Sequence, residues 1–226
     1  MKKISLVTGA TGGIGGGFVD RLLARDYAVI AQWRNADKFT ALTQQYPNSH
    51  LLSFESSLLD EAQIKNALQS FKEQNSIPNL IVLAAGDAKS DTATQFNGDV
   101  QASIDYHMNA NYFTKERFTN AFMDIFSKPE KPTPLFIVSS HISLKSMEEA
   151  NVMKQVGYIT SMKKENELAE ILKQTGYFDV HLLLTERVET NLLENFRQEL
   201  ASEGVTIDAG GTRESYAEGV LQNAKL

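Results

Sequence analysis

The chain has 226 residues, which is enough for one domain with a large buried core. Its formal net charge of −6 comes without a basic stripe, so nucleic acid is not an expected partner. Cysteine is absent, which excludes disulfides and thiolate chemistry, and no apolar run approaches the roughly 20 residues that span a bilayer. We therefore expect no membrane partner, and the cytoplasm is the expected compartment.

Short apolar runs alternate along the chain with longer amphipathic stretches. The short runs are rich in β-branched residues and leucine and lack polar alternation, which is typical of strands buried on both faces of a sheet. They predict strands at Ile4–Val7, Ala28–Trp33, His50–Phe54, Leu80–Ala84, Leu135–Val138 and Val180–Leu184. The amphipathic stretches predict helices at Gly16–Arg25, Asp60–Glu73, Asp99–Phe126, about Tyr158 to Gln174, and, as a capped C-terminal helix, Thr212–Ala224.

Strands that alternate with helices predict βαβ units, right-handed crossovers and a parallel sheet. We expect an α/β protein of the Rossmann type, with one doubly wound sheet of six strands in a three-layer α/β/α arrangement that takes up residues 1–226 as a single domain. The segment Val205–Asp208 is either a seventh strand or a turn. Sheets of this kind bind ligands at the carboxyl ends of their strands, near the topological switch point.

The strongest functional signal is a glycine-rich turn that follows the first strand and opens the first helix. It reads Thr8-Gly9-Ala10-Thr11-Gly12-Gly13-Ile14-Gly15. Free N–H groups and the helix dipole favour an anion there. We predict a tight turn at Gly9, close approach of a pyrophosphate at Gly13, and helix packing with a phosphate contact at Gly15. The alternative is a strand–helix turn without a ligand, but Gly16 and Gly17 would then weaken the helix start without a use.

The pattern Thr-Gly-x-x-x-Gly-x-Gly resembles the signature of the short-chain dehydrogenase/reductase family. The similarity continues with Ala85-Gly86 after a predicted strand, an Asn in the long helix, a Ser after a later strand and a Tyr that opens the next helix. The resemblance implies a Rossmann fold, an NAD(P) cofactor, a small-molecule substrate, and a helix-packed homodimer or homotetramer.

The end of the second predicted strand bears on which dinucleotide binds. NAD enzymes of this type place an acid there for the ribose 2′-OH, whereas this chain has Trp33 followed by Arg34. An arginine can grip a 2′-phosphate through a forked, charge-assisted contact, which favours NADP over NAD. The alternative is a surface arginine at the start of a helix. Gly12 stands where NADP enzymes often carry a second basic residue.

The other cofactor contacts follow the family unevenly. Ser57-Leu58 stands where the family has an Asp-Val pair for adenine, and Leu83-Ala84-Ala85-Gly86 replaces Asn-Asn-Ala-Gly. Small residues at Ala84, Ala85 and Gly86 leave room for the adenosine ribose. Thr190 matches the family threonine that faces the nicotinamide amide, although the Pro-Gly before it has become Thr185-Glu186.

The catalytic group implied by the resemblance consists of a Tyr acid, a Ser that holds the substrate oxygen, a Lys that depresses the tyrosine pKa, and an Asn that anchors a relay water. Ser140 follows the fifth predicted strand and Tyr158 opens the next helix. Asn109 aligns best with the relay asparagine, and Asn111 is a close rival. Taken singly, each could be a strand-end cap, a packed aromatic or a helix-bending side chain.

One departure affects activity directly. The family pattern is Tyr-x-x-x-Lys, but Met162 occupies the fourth position after Tyr158. Lys163 lies about 100° off that helix face, so it could serve only through a local distortion such as a π-bulge. Lys154, in the insert His141–Gly157, is a conceivable stand-in if the loop folds back. Without a nearby cation, the tyrosine pKa should not be depressed.

Three functions compete at this point. The first is an NADP(H)-dependent oxidoreductase that acts on a carbonyl or an alcohol. The second is an NADP(H)-binding regulatory or partner protein with little or no redox catalysis, which Met162 favours. The third is a scaffold that no longer binds nucleotide. The histidines show no metal spacing, so no metal is expected.

Overall fold

The computed structural model describes residues 3–47, 49–185, 188–190, 194 and 210–226. Within them, six strands form one parallel sheet in the order β3-β2-β1-β4-β5-β6. The strands are β1 (Ile4–Thr8), β2 (Ala28–Trp33), β3 (Leu51–Glu55), β4 (Leu80–Leu83), β5 (Thr133–Ser140) and β6 (Phe178–Thr185). A separate two-stranded ribbon pairs β7 (Val188–Glu189) with β8 (Gly211–Thr212). The predicted doubly wound sheet is confirmed, while Val205–Asp208 falls outside the described residues.

The helices lie on both sides of this sheet. They are α1 (Gly13–Leu23), α2 (Ala36–Gln45), α3 (Glu61–Glu73), α4 (Val100–His107), α5 (Thr114–Ile125), α6 (Met147–Val152), α7 (Val156–Thr175) and α8 (Arg213–Asn223). The sequence pattern did not predict α2, because only Leu42 of this helix is buried and its apolar face is correspondingly weak. The single long helix expected at 99–126 is interrupted by a π-helical turn, Met108–Phe113, between α4 and α5.

Two apolar clusters, one on each face of the sheet, make up the core. Successive residues of a strand point to opposite faces, so Leu6 joins one cluster and Val7 the other. The first cluster packs against α3, α5 and α7, and the second against α1 and α8. In the sheet, β2 lies on one side of β1 and β4 lies on the other, so the connections that leave β1 and β4 diverge. A crevice therefore opens between the carboxyl ends of these two strands.

The C-terminal helix α8 begins as its sequence predicts, because the Thr212 side chain accepts a hydrogen bond from the Ser215 N–H at 3.2 Å. This helix lies against α1 at the second part of the glycine run. A Cβ built on Gly17 would lie 2.7 Å from the Arg213 carbonyl oxygen. Gly17 therefore serves helix–helix packing and not the phosphate turn.

Replacing Gly17 with alanine should destabilise the fold by about 1 to 3 kcal/mol, since the new methyl group meets backbone that cannot move aside. Gly219→Ala is the matched control, because Gly219 lies inside α8 and no atom of the described residues comes within 4 Å of a built Cβ. That substitution should stabilise the protein by about 0.5 to 1 kcal/mol through helix propensity. Urea denaturation of both variants measures the difference, and equal effects would contradict the packing role of Gly17.

Candidate active site

The glycine-rich turn is built by backbone that approaches other backbone closely. Gly9 has φ +63°, and a Cβ built there would lie 2.8 Å from the Ala85 Cα. A Cβ on Gly15 would collide with the Gly9 carbonyl oxygen. Thr8 is buried, and its Oγ1 accepts a hydrogen bond from the Ala85 N–H at 3.3 Å. The turn after β1 and the turn after β4 therefore form one continuous floor for the crevice.

The start of α1 is open to a ligand on its Gly12 side. Gly12 is the exposed N-cap and provides no side-chain capping bond to the first amides of the helix, and Thr11 and Ile14 beside it are half-buried. Amides left without a capping partner at a helix N-terminus suit an anion, so these residues fit a pyrophosphate. Thr190 packs directly over Gly13, where a Cβ would collide with its side chain.

A residue that sequence analysis missed, Gln32, holds this turn from the β2 side. Its side chain is buried, accepts a hydrogen bond from the Gly9 N–H at 2.9 Å and donates one to the Ser56 carbonyl at 2.8 Å. The Gln32 backbone carbonyl also accepts from the Ala10 N–H at 3.1 Å. The signal in the sequence is a glutamine inside an otherwise apolar buried strand, where an unpaired amide would be costly.

The residues predicted to select the dinucleotide lie beyond the end of β2. Trp33 stacks on Phe39 with ring centroids 4.7 Å apart, and Arg34 is exposed. A cleft of about 530 Å³ opens beside them, and its lining residues are Arg34, Glu55, Ser56, Ser57 and Gln63. Ser57 thus faces the cleft, whereas Leu58 is buried. One carboxylate, Glu55, shares the cleft with the arginine.

The structure brings Ser140 and Tyr158 together. Ser140 is the last residue of β5 and Tyr158 lies in the first turn of α7. Burial raises the pKa of Tyr158 to about 12. The nearby carboxylates of Glu165 and Asp87 raise it as well, while the neighbouring Ser140 hydroxyl lowers it. The Tyr158 ring packs on His107 with centroids 5.7 Å apart.

Asn111, and not Asn109, points inward, toward the turn after β4 and the helix that bears Tyr158. Asn109 is exposed, and its amide donates to the Asp105 carbonyl of its own helix at 2.8 Å. Asn111 is buried; its Oδ1 accepts from the Asp87 N–H at 2.8 Å, and its Nδ2 donates to the Ser161 Oγ at 2.9 Å. The π-helical turn changes which residues of this segment face inward, and regular helical spacing does not anticipate that shift.

None of the lysines considered from the sequence reaches Tyr158. Met162 is buried, with its sulfur 3.8 Å from the Ser139 hydroxyl, and α7 runs as an uninterrupted α-helix past Lys163. Lys154 is exposed, and Lys145 pairs with Glu149 at 2.8 Å. Within the described part of the chain, the groups that shift the Tyr158 pKa include no cation.

The turn after β4 carries Ala84, Ala85 and the exposed Gly86, which leave the crevice open, and it continues into Asp87. The Asp87 carboxylate accepts a hydrogen bond from the Tyr106 hydroxyl. Burial and this bond raise the Tyr106 pKa, while Arg34 lowers it. Arg34 therefore lies close enough to Tyr106 for its charge to act on this phenol.

Asp91 fixes the start of the helix that bears Tyr158. Its buried carboxylate accepts hydrogen bonds from Val156 N–H at 2.6 Å, Gly157 N–H at 3.1 Å and Ser103 Oγ at 2.7 Å. The insert before α7 folds as a 3₁₀ turn, His141–Leu144, followed by α6, whose first turn has a capping box between Ser146 and Glu149. No sequence pattern singles out Asp91, because its partners are more than ten residues away in the chain.

The ranges that the structure describes contain no group of three or more His, Cys, Asp or Glu residues that could hold a metal ion. In the same ranges, no helix is both long enough and apolar enough to cross a membrane.

Comparison with known proteins agrees with this geometry. The family model for short chain dehydrogenases matches residues 3–153, so the chain belongs to the short-chain dehydrogenase family of oxidoreductases, whose members bind NAD(P). No curated protein matches the chain by sequence.

Solved structures share the fold at low sequence identity. An oxidoreductase of this family from Burkholderia thailandensis is 21% identical with a TM-score of 0.79, over 98% of this chain and 85% of that one. The RhlG/NADP active-site complex from Pseudomonas aeruginosa is 18% identical with a TM-score of 0.78, over 98% and 89%. A Serratia marcescens member is 17% identical with a TM-score of 0.77, over 98% and 90%.

Replacing Asp91 with alanine should destabilise the protein by about 2 to 4 kcal/mol, because three donors lose a charged acceptor inside the protein. Asp99→Ala is the control: Asp99 also caps a helix, but its bonds to Gln101 and Ala102 are exposed. Asp99→Ala should lower the free energy of unfolding by about 1 kcal/mol. Urea denaturation gives both values, and a smaller loss for Asp91→Ala than for Asp99→Ala would refute the assignment.

Proposed function

We propose that this protein is an NADP(H)-dependent oxidoreductase that interconverts a carbonyl and an alcohol, with Tyr158 as the proton donor. The observation that carries the proposal is the position of Ser140, at the carboxyl end of β5, beside Tyr158, in the first turn of α7, next to a crevice whose floor is the glycine-rich turn. When bound, the nicotinamide would supply hydride to the carbonyl carbon. The protein would supply the proton and the site that holds the carbonyl oxygen.

In this proposal Ser140 donates a hydrogen bond to the substrate oxygen, and the Tyr158 hydroxyl transfers its proton to the same oxygen. The phenolate that results takes a proton back from solvent before the next turnover. Asn111, in place of Asn109, would hold a relay water near the turn after β4. A phenol with a raised pKa stays protonated at neutral pH, so it is ready to act as an acid and poorly suited to act as a base.

The cofactor assignments rest on the same crevice. The amides from Gly12 to Gly15 would bind the pyrophosphate, and Thr190 above Gly13 would face the nicotinamide amide. Ala84, Ala85 and Gly86 would leave room for ribose, and Ser57, which lines the cleft, would border the adenine side, whereas Leu58 is buried. Arg34 in the cleft supports NADP, because its guanidinium is exposed and can form a bidentate bond with a 2′-phosphate.

A second candidate function is an NADP(H)-binding protein with little redox catalysis. Met162 favours it, since this buried thioether fills the place of a cation that would stabilise the Tyr158 phenolate. We also propose a homodimer or homotetramer that acts on a small molecule in the cytoplasm, with neither nucleic acid nor membrane as a partner. These last points rest on composition and on the family resemblance.

The proposal predicts that the purified protein binds NADPH more tightly than NADH. Arg34→Gln should weaken NADPH binding roughly tenfold or more, because a charge-assisted contact to phosphate is lost, and change NADH binding less than about twofold. Calorimetry measures both affinities. Lys38→Gln is the control, since Lys38 is an exposed cation nearby that does not line the cleft. Equal losses of affinity for NADPH and NADH in Arg34→Gln would contradict the role of Arg34. If the wild-type protein bound neither nucleotide, the proposed nucleotide site would be refuted.

The pH profile tests the role of Tyr158. The raised pKa predicts that alcohol oxidation climbs about tenfold per pH unit from about pH 7 to 10 without a plateau, while carbonyl reduction stays flat. Met162→Lys should lower the Tyr158 pKa by about 1 to 3 and bring a plateau in oxidation to lower pH. Met162→Leu keeps the site apolar and should leave the wild-type profile.

Tyr158→Phe completes this test. It should reduce turnover by about 10²-fold or more, because the substrate oxygen loses its positioned acid. Full activity of this variant would exclude the tyrosine mechanism. NADPH binding without turnover in the wild-type protein, over a broad panel of carbonyl compounds, would favour the second candidate function.

A further inference from the structure

A buried ion pair that the proposed mechanism does not use lies beneath the active site. The Lys115 Nζ of α5 is 2.5 Å from the Glu165 Oε1 of α7, and both side chains are at most 3% exposed. The same ammonium donates a hydrogen bond to the Ala85 carbonyl at 3.1 Å. Lys115 therefore connects the helix that bears Tyr158 to the turn after β4.

This connection is the lower of two parallel links. One helical turn above it, Asn111 joins Ser161 of α7 to both backbone groups of Asp87, at 2.9 Å to the serine and at 2.8 and 3.0 Å to the aspartate. Asn111 and Lys115 are four residues apart on one segment, and Ser161 and Glu165 are four apart on the other. Lys115 and Asn111 therefore hold the two ends of the turn Ala85–Asp87 by hydrogen bonds.

The turn Ala85–Asp87 is the part of the site that contacts the glycine-rich turn. Ala85 lies against Gly9, where a built Cβ would be 2.8 Å from the Ala85 Cα. On the other side, a Cβ on Gly86 would be 2.8 Å from the Asn111 Oδ1 and 4.0 Å from the Lys115 Nζ. Any shift of Ala85 is therefore transmitted to Gly9, and through it to the predicted pyrophosphate site.

Stability alone accounts poorly for such a pair. Removing two charges from water is costly, and apolar residues of similar volume are often as stable or more stable in the same place. Burial raises the pKa of Glu165, and the neighbouring ammonium only opposes that shift. Among the described residues, the second carboxylate oxygen of Glu165, Oε2, has no hydrogen-bond partner. The feature that an apolar pair could not reproduce is the hydrogen bond to the Ala85 carbonyl.

We propose that Lys115 and Glu165 are a positioning pair, which holds the turn Ala85–Asp87 in register with the glycine-rich turn and with the Tyr158 helix. Glu165 orients the ammonium, and the ammonium fixes the Ala85 carbonyl. Lys115 is not a relocated catalytic lysine, because its ammonium is engaged by these two partners and does not shift the Tyr158 pKa. The part of this inference that concerns the cofactor rests on the proposed function above.

The test replaces both partners, since Lys115→Met alone would leave Glu165 buried and unpaired. In the double variant Lys115→Met with Glu165→Leu, the melting temperature should stay the same or rise. The amide protons of Ala85 and Asp87 should exchange with solvent at least tenfold faster, and NADPH should bind at least tenfold more weakly. The matched control is Lys173→Met with Glu170→Leu, which removes an exposed pair at 2.6 Å on α7 and should change none of these quantities.

Unchanged exchange at Ala85 and Asp87 in the double variant would overturn the proposal, and so would faster exchange combined with wild-type NADPH affinity. Should that variant not fold, Lys115→Gln with Glu165→Gln undergoes the same measurements, because glutamine is one bond too short to reach the Ala85 carbonyl. The exchange measurement needs no cofactor. A wild-type protein that fails to bind NADPH would therefore refute the proposed function, while exchange would still decide whether the pair holds the turn.

Discussion

The close contact between the turns after β1 and β4 is the constraint on which the rest of the site depends. These strands are neighbours in the sheet although β2 and β3 intervene in the chain, so their loops diverge to opposite sides and leave a crevice. Gly9 reaches Ala85 only because it has no side chain and adopts a positive φ. Gln32 supports the contact from the β2 side, and Asn111 with Lys115 supports it from the α5 side. Buried polar groups therefore surround the crevice floor, each with a partner that fixes its position.

The electrostatics around Tyr158 differ from what the family pattern implies. A lysine four residues later would stabilise a phenolate, whereas Met162 is neutral and the nearby charges, Glu165 and Asp87, are carboxylates. The lysine that does lie close to the site, Lys115, is neutralised by Glu165 and directed at backbone. The charge balance is thus arranged to keep the phenol protonated and the cofactor turn fixed, which suits proton donation better than proton abstraction.

The sequence predicted those site residues whose position depends only on the order of strands and helices along the chain. Ser140 ends a strand and Tyr158 opens the following helix, and neighbouring parallel elements bring such ends to one edge of the sheet. Asn109 and Asn111 were rivals in the sequence, where Asn109 aligned better with the relay asparagine; in the structure both lie in a π-helical turn, in which Asn111 is buried and Asn109 is exposed. Asp91, Gln32 and the Lys115–Glu165 pair went unrecognised, because their partners lie far away in the sequence and a charged residue in a helix is normally exposed.

The sequence by itself determined the alternation of strands and helices, the doubly wound sheet and the location of the glycine-rich turn, because hydrophobic periodicity and glycine geometry are local properties. It also determined that no lysine follows Tyr158 at the family spacing. Only the tertiary structure decided which asparagine faces inward, which glycines serve packing and which serve the turn, and where the buried charges are neutralised. Those outcomes depend on contacts between residues that are distant in the chain, and a buried polar group reveals its role only through the partner that folding brings to it.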